Sequence, residues 1–228
     1  MHVIPNVGDE TSCAQAAQLL AMSHYKAVGL TVPTGLLNDR LKIIRNCFLN
    51  SGFEVFLRAD LNCSNRMELL KLLRRFRSAF DIISVKCTNH NIALVAARDR
   101  RVDLIFFDYA RRNVWFNHSI ANVSNATLEV NASALLEARD HLVLTRLMKD
   151  VNSAQQHGVD IIISSGCTSP FMVRAPAQLL GIGMILGLNK AEALNSVSFT
   201  PSRIVRRNIE RRSKNYVEDG VRVIARSG

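Results

Sequence analysis

The chain has 228 residues, 48% of them hydrophobic, with 29 Lys and Arg against 19 Asp and Glu and a net charge of +10. So large an apolar fraction excludes a disordered or fibrous chain, and no run reaches the roughly 18 apolar residues of a membrane span. The positive excess favours a polyanionic partner.

Short β-branched runs alternate with helical patterns along the whole chain. His2 to Pro5 reads as a strand and Asp9 to His24 as a helix. Ala27 to Val32 is extended, Leu37 to Ser51 helical and Phe53 to Leu57 extended again. Met67 to Phe76 is helical, Asp81 to Lys86 extended, His90 to Arg98 helical and Val102 to Phe107 extended. Thr127 to Val130 is a short strand and Ser133 to Gln156 holds one or two helices. Asp160 to Ile163 suits a strand buried on both faces. Ala177 to Leu188, Lys190 to Ser196 and Pro201 to Lys214 are helical, and Val221 to Ala225 reads as a closing strand. Repeated βα units with short connections imply a parallel sheet. This many in one domain spanning 1–228 imply an α/β fold, a TIM-barrel-like (β/α) barrel with extra C-terminal helices. A doubly wound open sheet is the alternative.

The opening M-H-V-I-P-N-V-G-D-E lacks the basic flank and apolar core of a signal peptide. Cys13, Cys47, Cys63, Cys87 and Cys167 are odd in number and form no C-x-x-C pair, so they are expected as buried free thiols in a reducing cytoplasm. There is no phosphate loop and no nucleophile elbow; Gly181, Gly183 and Gly187 lie within an apolar helical pattern and read as close-packing glycines. Six histidines are scattered without metal-ligand spacing. Carboxylates are not expected at strand ends: Asp60, Asp99 and Asp103 lie among arginines and read as charge partners rather than as a paired acid and base. No catalytic site is expected on the protein.

What stands out instead is a loop and three basic clusters. After Ile163, Ser164, Ser165 and Gly166 let the backbone turn with its amides exposed, and Pro176 is placed to start a helix two residues after Arg174. A strand end, a helix N-terminus and a guanidinium together suit a phosphate, with a surface carboxylate as the equal alternative for Arg174. One basic cluster is Arg66, Lys71, Arg74, Arg75 and Arg77; a second is Arg98, Arg100 and Arg101, joined by Arg111 and Arg112. The densest is Arg203, Arg206, Arg207, Arg211, Arg212 and Lys214. Arg203, Arg206 or Arg207, and Arg211 fall on one helical face, where like charges are expected to need an anion, and phosphate is the obvious one. Aromatic residues are sparse at 6%, so RNA gripped by backbone and shape fits better than base stacking.

The block S-S-G-x-x-x-P-x-x-x-R-A-P from Ser164 is followed by L-L-x-x-x-x-x-L-G-L-x-K-A-E-A-L-x-S-V-S-F-T-P-x-x-I-V-x-R-N and closes with D-G-V-R-V-I. It resembles the archaeal ribonuclease P protein component 3 family, counterpart of the eukaryotic thirty-kilodalton subunit, closely across 138–225 and more loosely before that. The resemblance implies a barrel related to the polymerase-and-histidinol-phosphatase fold. It also implies a protein subunit of ribonuclease P, the endoribonuclease that removes the 5′ leader from precursor tRNA. In that family the RNA does the chemistry, so Mg2+ is expected on the RNA and no cofactor on the protein. The metal-dependent relatives begin with an Asp-x-His-x-His strand, whereas the matching positions here are His2 and Ile4 with no aspartate before them. Implied partners are the ribonuclease P RNA, precursor tRNA within the holoenzyme, ribonuclease P protein component 2 and the other ribonuclease P proteins, and no membrane. By position, Arg174 is implied to contact RNA. Charge adds Arg98, Arg100, Arg101, Arg203 and Arg207 as RNA-binding candidates. The alternative function is a metal-dependent phosphoesterase with His2 as a remnant ligand.

Overall fold

Strands and helices follow the alternation expected from the sequence. The computed structural model describes residues 2–5, 10–32, 39–109, 114–136, 141–166, 172–213, 215–218 and 221–222. In chain order the elements are β1 (His2–Pro5), α1 (Glu10–Met22), β2 (Ala27–Thr31), α2 (Asp39–Asn50), β3 (Glu54–Asn62), α3 (Arg66–Phe76) and β4 (Ile82–Cys87). Then come α4 (His90–Arg98), β5 (Leu104–Phe107), α5 (His118–Ala121), β6 (Thr127–Asn131), α6 (Ala132–Leu136), α7 (His141–Gln156) and β7 (Ile161–Ser164). The chain continues with α8 (Pro176–Ile185), α9 (Lys190–Val197), α10 (Phe199–Arg211), β8 (Tyr216–Glu218) and β9 (Val221–Arg222).

The first seven strands pair in parallel and in sequence order, β1 through β7. An order without a reversal has no switch point, so right-handed crossovers put the helices on one face of the sheet, and the doubly wound alternative is ruled out. The sheet is curled. On a flat sheet β3 and β6 would lie about 14 Å apart, three strand spacings, yet Arg58 of β3 donates to both oxygens of Glu129 of β6 at 2.7 and 2.6 Å.

Alternation along the strands defines two faces. Val55, Ala59 and Leu61 of β3 are buried beneath the helices, as are Ile83, Val85 and Cys87 of β4. The inner face begins apolar: Ile82, Leu104 and Ile162 pack with Phe56 and with Ile204 and Val205 of α10. α10 therefore plugs the N-terminal end of the barrel wall. Further up the inner face turns polar, with Arg58, Ser84, Glu129 and Ser164 all buried.

Several details differ from the sequence reading, which has no element at α5 or β8. The strand read as Phe53 to Leu57 runs on to Asn62 as β3. The segment expected as a closing strand gives β9, which pairs antiparallel with β8 in a separate ribbon; its residues beyond Arg222 lie outside the described ones. Among the glycines, Gly183 is a packing position, with Ala193 Cβ and Leu188 Cδ1 each 3.3 Å from where a Cβ would sit. Gly187 is not: it follows the α8 C-cap at φ +107°, open to solvent on its Cβ side, as helix-ending glycines do. Cys13, Cys63 and Cys87 are buried free thiols and Cys47 is half-buried; Cys167 lies outside the described residues.

One polar pair is sunk among the helices. Tyr109 Oη donates to Asp150 Oδ2 at 2.8 Å, while Asp150 is 1% exposed and its Oδ1 has no hydrogen-bond partner among the described residues. Burial pushes the Asp150 carboxyl up to about 7, against the opposing pull of the Tyr109 hydroxyl, the Phe116 amide and Arg146. A carboxyl raised on folding stabilises the fold fully below its ordinary pKa of 3.8 and loses that contribution as pH rises towards about 7. In urea unfolding across pH 4 to 8, the wild type is expected to lose stability between these limits relative to Asp150→Asn. Parallel pH profiles would refute this.

Candidate nucleic-acid interface

The three basic clusters owe their positions to ordinary helix chemistry. Asn65 caps α3 by accepting from the Glu68 amide at 2.9 Å, and Leu69, Leu73 and Phe76 bury its inner face. Helical spacing then leaves Lys71, Arg74 and Arg75 exposed. In α4, Asn89 caps by accepting from the Ile92 amide at 2.9 Å, and Ile92, Ala93, Ala96 and Ala97 are buried. The helix ends at Arg98 and the chain turns through Asp99, whose Oδ1 accepts from the Arg101 amide at 3.0 Å. α10 buries Pro201, Ile204, Val205 and Asn208 against the barrel floor, and its arginines flank that stripe.

The fold brings parts of all three clusters to one place. Arg74 of α3 and Arg77 at its C-terminal cap, Arg100 and Arg101 of the α4–β5 turn, and Arg211 and Arg212 at the end of α10 line a cleft of ≈ 390 Å³ with Leu73, Ser78 and Asn208. It opens at the N-terminal end of the strands, the end that α10 plugs. Three aspartates neighbour it. Asp99 takes Nε and a terminal nitrogen of Arg101 at 2.9 and 2.6 Å, which holds its carboxyl below its ordinary pKa. Asp103 takes Arg77 at 2.6 Å, and Asp81 takes Arg212. Arg74 and Arg100 are exposed and have no carboxylate partner among the described residues.

The sequence-derived candidates separate accordingly. Arg100 and Arg101 line the cleft. Arg98 is exposed nearby, its carbonyl accepting from Asn125 Nδ2 at 3.0 Å, but it is not a lining residue. Arg203 sits instead in a groove of ≈ 400 Å³ between α7, β7, α9 and α10, paired with Asp160. Arg207 donates to buried Asp103 at 2.8 Å. The expectation that the α10 arginines need phosphate to relieve their repulsion fails for Arg203 and Arg207. Asp160, Asp103 and Asp81, each the residue just before a strand, accept from Arg203, Arg207 and Arg212. These pairs seat α10 on the barrel floor. The reading of Asp60, Asp99 and Asp103 as charge partners holds for each. Arg111, Arg112 and Lys214 lie outside the described residues.

The serine-glycine loop turns at Gly166 as expected, but Ser164 still belongs to β7 and both Ser164 and Ser165 are buried rather than exposed. Gly166 has φ +58°, and a Cβ there would meet Ser133 Oγ at 2.7 Å and Asn131 Cβ at 2.8 Å, so only glycine fits. Residues 167–171 lie outside the described ones. Beyond them Met172 and Val173 pack on the core shared by α1, α2, β2 and β3, and Tyr25 Oη donates to the Arg174 carbonyl at 2.7 Å. The Arg174 guanidinium donates to the Val173 carbonyl at 3.0 Å. Pro176 does open α8, where the Ala175 amide is capped by Gln178 Oε1 at 2.9 Å.

Inside the barrel wall lies a group that sequence reading missed. Arg58, 1% exposed, donates through Nε to Asp60 at 2.5 Å, through both terminal nitrogens to Glu129 and, at 3.1 Å, to Ser84. Burial alone would lower the Arg58 pKa, but Asp60 and Glu129 more than offset it and hold the guanidinium protonated. Burial raises the Asp60 carboxyl above its ordinary value and the Glu129 charge adds to this, opposed by Arg58. Lys86 pairs with Asp108 at 2.8 Å close by on the same face. Carboxylates therefore do stand at strand ends, contrary to expectation, but each is bridged by a cation of the chain itself. The signal was present as period-two alternation: Arg58, Asp60 and Asn62 alternate with Ala59 and Leu61, and Glu129 and Asn131 with Leu128 and Val130. Nor are the histidines all apart, since His118 Nδ1 and His157 Nε2 meet at 2.6 Å. Among the described residues no three His, Cys, Asp or Glu side chains converge as a metal site would need.

Comparison with known proteins agrees with this picture. The chain matches the family described as RNase P subunit p30 over residues 4–213. Ribonuclease P protein component 3 of Methanosarcina barkeri (strain Fusaro / DSM 804) is 26% identical over 231 residues, covering 98% of this chain and 93% of that protein. Its namesake from Methanococcoides burtonii is 26% identical over 182 residues, 75% of this chain and 73% of that protein. Among solved structures, a chain in the cryo-EM structure of archaeal ribonuclease P with mature tRNA is similar in fold, with a TM-score of 0.86 at 16% identity and complete coverage of both chains.

Proposed function

The chain belongs to the RNase P subunit p30 family, and from that membership we propose that it is a protein subunit of ribonuclease P. In this reading it binds the catalytic RNA and supports removal of the 5′ leader from precursor tRNA. The relatives named component 3 and the fold shared with a chain of the archaeal holoenzyme support the reading. The observation in the molecule that carries it is the six-arginine cleft assembled from segments far apart in sequence, a surface suited to a polyanion. Bond cleavage and its Mg2+ belong to the RNA, and the chain works beside ribonuclease P protein component 2 and the other protein subunits. The phosphoesterase alternative is not favoured: the strand-end carboxylates are occupied by Arg58 and Lys86. No helix among the described residues is long and apolar enough to cross a membrane.

Reconstitution tests the proposal. Adding the full chain with component 2 to the ribonuclease P RNA is expected to raise 5′ leader cleavage at low Mg2+. Binding through about six phosphates would weaken the chain's affinity on the order of 10³-fold between 50 and 200 mM salt. Arg174→Ala is expected to keep the fold and weaken RNA binding. Cleavage unchanged by the protein, together with salt-independent binding, would remove the reading.

A further inference from the structure

We infer that the cleft between α3, the α4–β5 turn and α10 holds RNA backbone phosphates at the plugged, N-terminal end of the barrel, a contact separate from Arg174, which does not line it. The inference rests on the chain being a ribonuclease P subunit and adds the place and chemistry of contact.

Three observations carry it. First, the cleft gathers six arginines, Arg74, Arg77, Arg100, Arg101, Arg211 and Arg212, against the neighbouring carboxylates of Asp81, Asp99 and Asp103. Local positive charge survives that pairing, because Arg74 and Arg100 have no carboxylate among the described residues. Second, Asp99 orients Arg101 without exhausting it. A guanidinium has five N–H donors, and Asp99 takes Nε and one terminal nitrogen of Arg101, leaving the other terminal nitrogen outside that pair. An arginine so held gives up little freedom when it grips a phosphate oxygen. Third, the remaining lining is Leu73, Ser78 and Asn208, with no aromatic ring on which a base could stack and a single apolar side chain. That composition suits backbone contact without sequence readout, and it gives an acidic peptide no apolar seat.

The test uses the full chain in the reconstituted holoenzyme with ribonuclease P RNA as the probe. Arg74→Gln combined with Arg100→Gln removes two exposed charges that have no carboxylate partner, so the fold should persist, as circular dichroism and thermal melting would verify. Affinity is expected to fall about tenfold or more at 0.15 M salt, and the slope of log affinity against log salt to shrink by about 2, one for each phosphate no longer neutralised. Arg206→Gln changes an exposed α10 charge outside the cleft and should leave the slope as in the wild type. A double variant with wild-type affinity and slope, in a wild type that binds RNA, overturns the cleft assignment and leaves the subunit reading standing. A wild type that binds no RNA removes both. Failure to bind a protein partner with RNA affinity intact would make the cleft a protein-docking surface and overturn the inference.

Discussion

Replacing Arg58 by alanine is expected to cost about 3–5 kcal/mol of folding stability, the usual consequence of removing one partner of a buried ion pair. Glu129 is 1% exposed, and both its oxygens accept from Arg58, so the substitution strands a carboxylate within the barrel wall. Asp60 is deprived of its Nε donor in the same step, but its side chain is 31% exposed and can recover some hydration. The destabilisation therefore comes from an uncompensated charge rather than a missing attraction. A second variant separates the two: Arg58→Met with Glu129→Leu removes both charges at similar volume and should recover most of the stability. Urea unfolding of the wild type, single and double variants reads the difference directly. A double variant as unstable as Arg58→Ala would show that the pair contributes by attraction.

Asp103→Ala is the next largest expected effect, a loss of about 3 kcal/mol together with loosening of α10. The Asp103 side chain has no exposed surface and accepts from Arg77 at 2.6 Å, Arg207 at 2.8 Å and the Ile83 amide at 2.8 Å. It joins α3 and α10 to the start of the sheet. Arg77 and Arg207 keep 23% and 34% of their side chains exposed, so water takes back part of the cost and the lower end of the range applies. Arg203→Gln is the contrast: it breaks a pair with Asp160 in which both side chains are about half exposed, and should cost under about 1 kcal/mol. Hydrogen exchange should show faster exchange of α10 amides in Asp103→Ala and little change in Arg203→Gln. Equal effects would mean that burial does not set the strength of these clamps.

Much of the architecture was legible from one-dimensional patterns. The order of βα units, the helix starts at His90 and Pro176, and the requirement for glycine at Gly166 are local matters of period and backbone angle. The element that ran longest beyond its expected end, β3, did so where apolar spacing was interrupted by Arg58 and Asp60. Arg58 gave no sign of a buried strand position because Glu129, which it bridges to, lies 71 positions away on β6.

The arginine clusters show the same division from the other side. Sequence located each cluster and made a polyanionic partner the natural reading, because charge and composition are additive along a chain. It could not divide the arginines between structural and available roles. Arg203, Arg207 and Arg212 face aspartates that precede three different strands, while Arg100 and Arg101 meet Arg74 across a cleft whose walls come from three separate segments. Helical and strand periods are set by neighbours within a few residues and so can be read directly. Which charge meets which is set by the curl and register of the sheet, and these exist only once the chain has closed on itself.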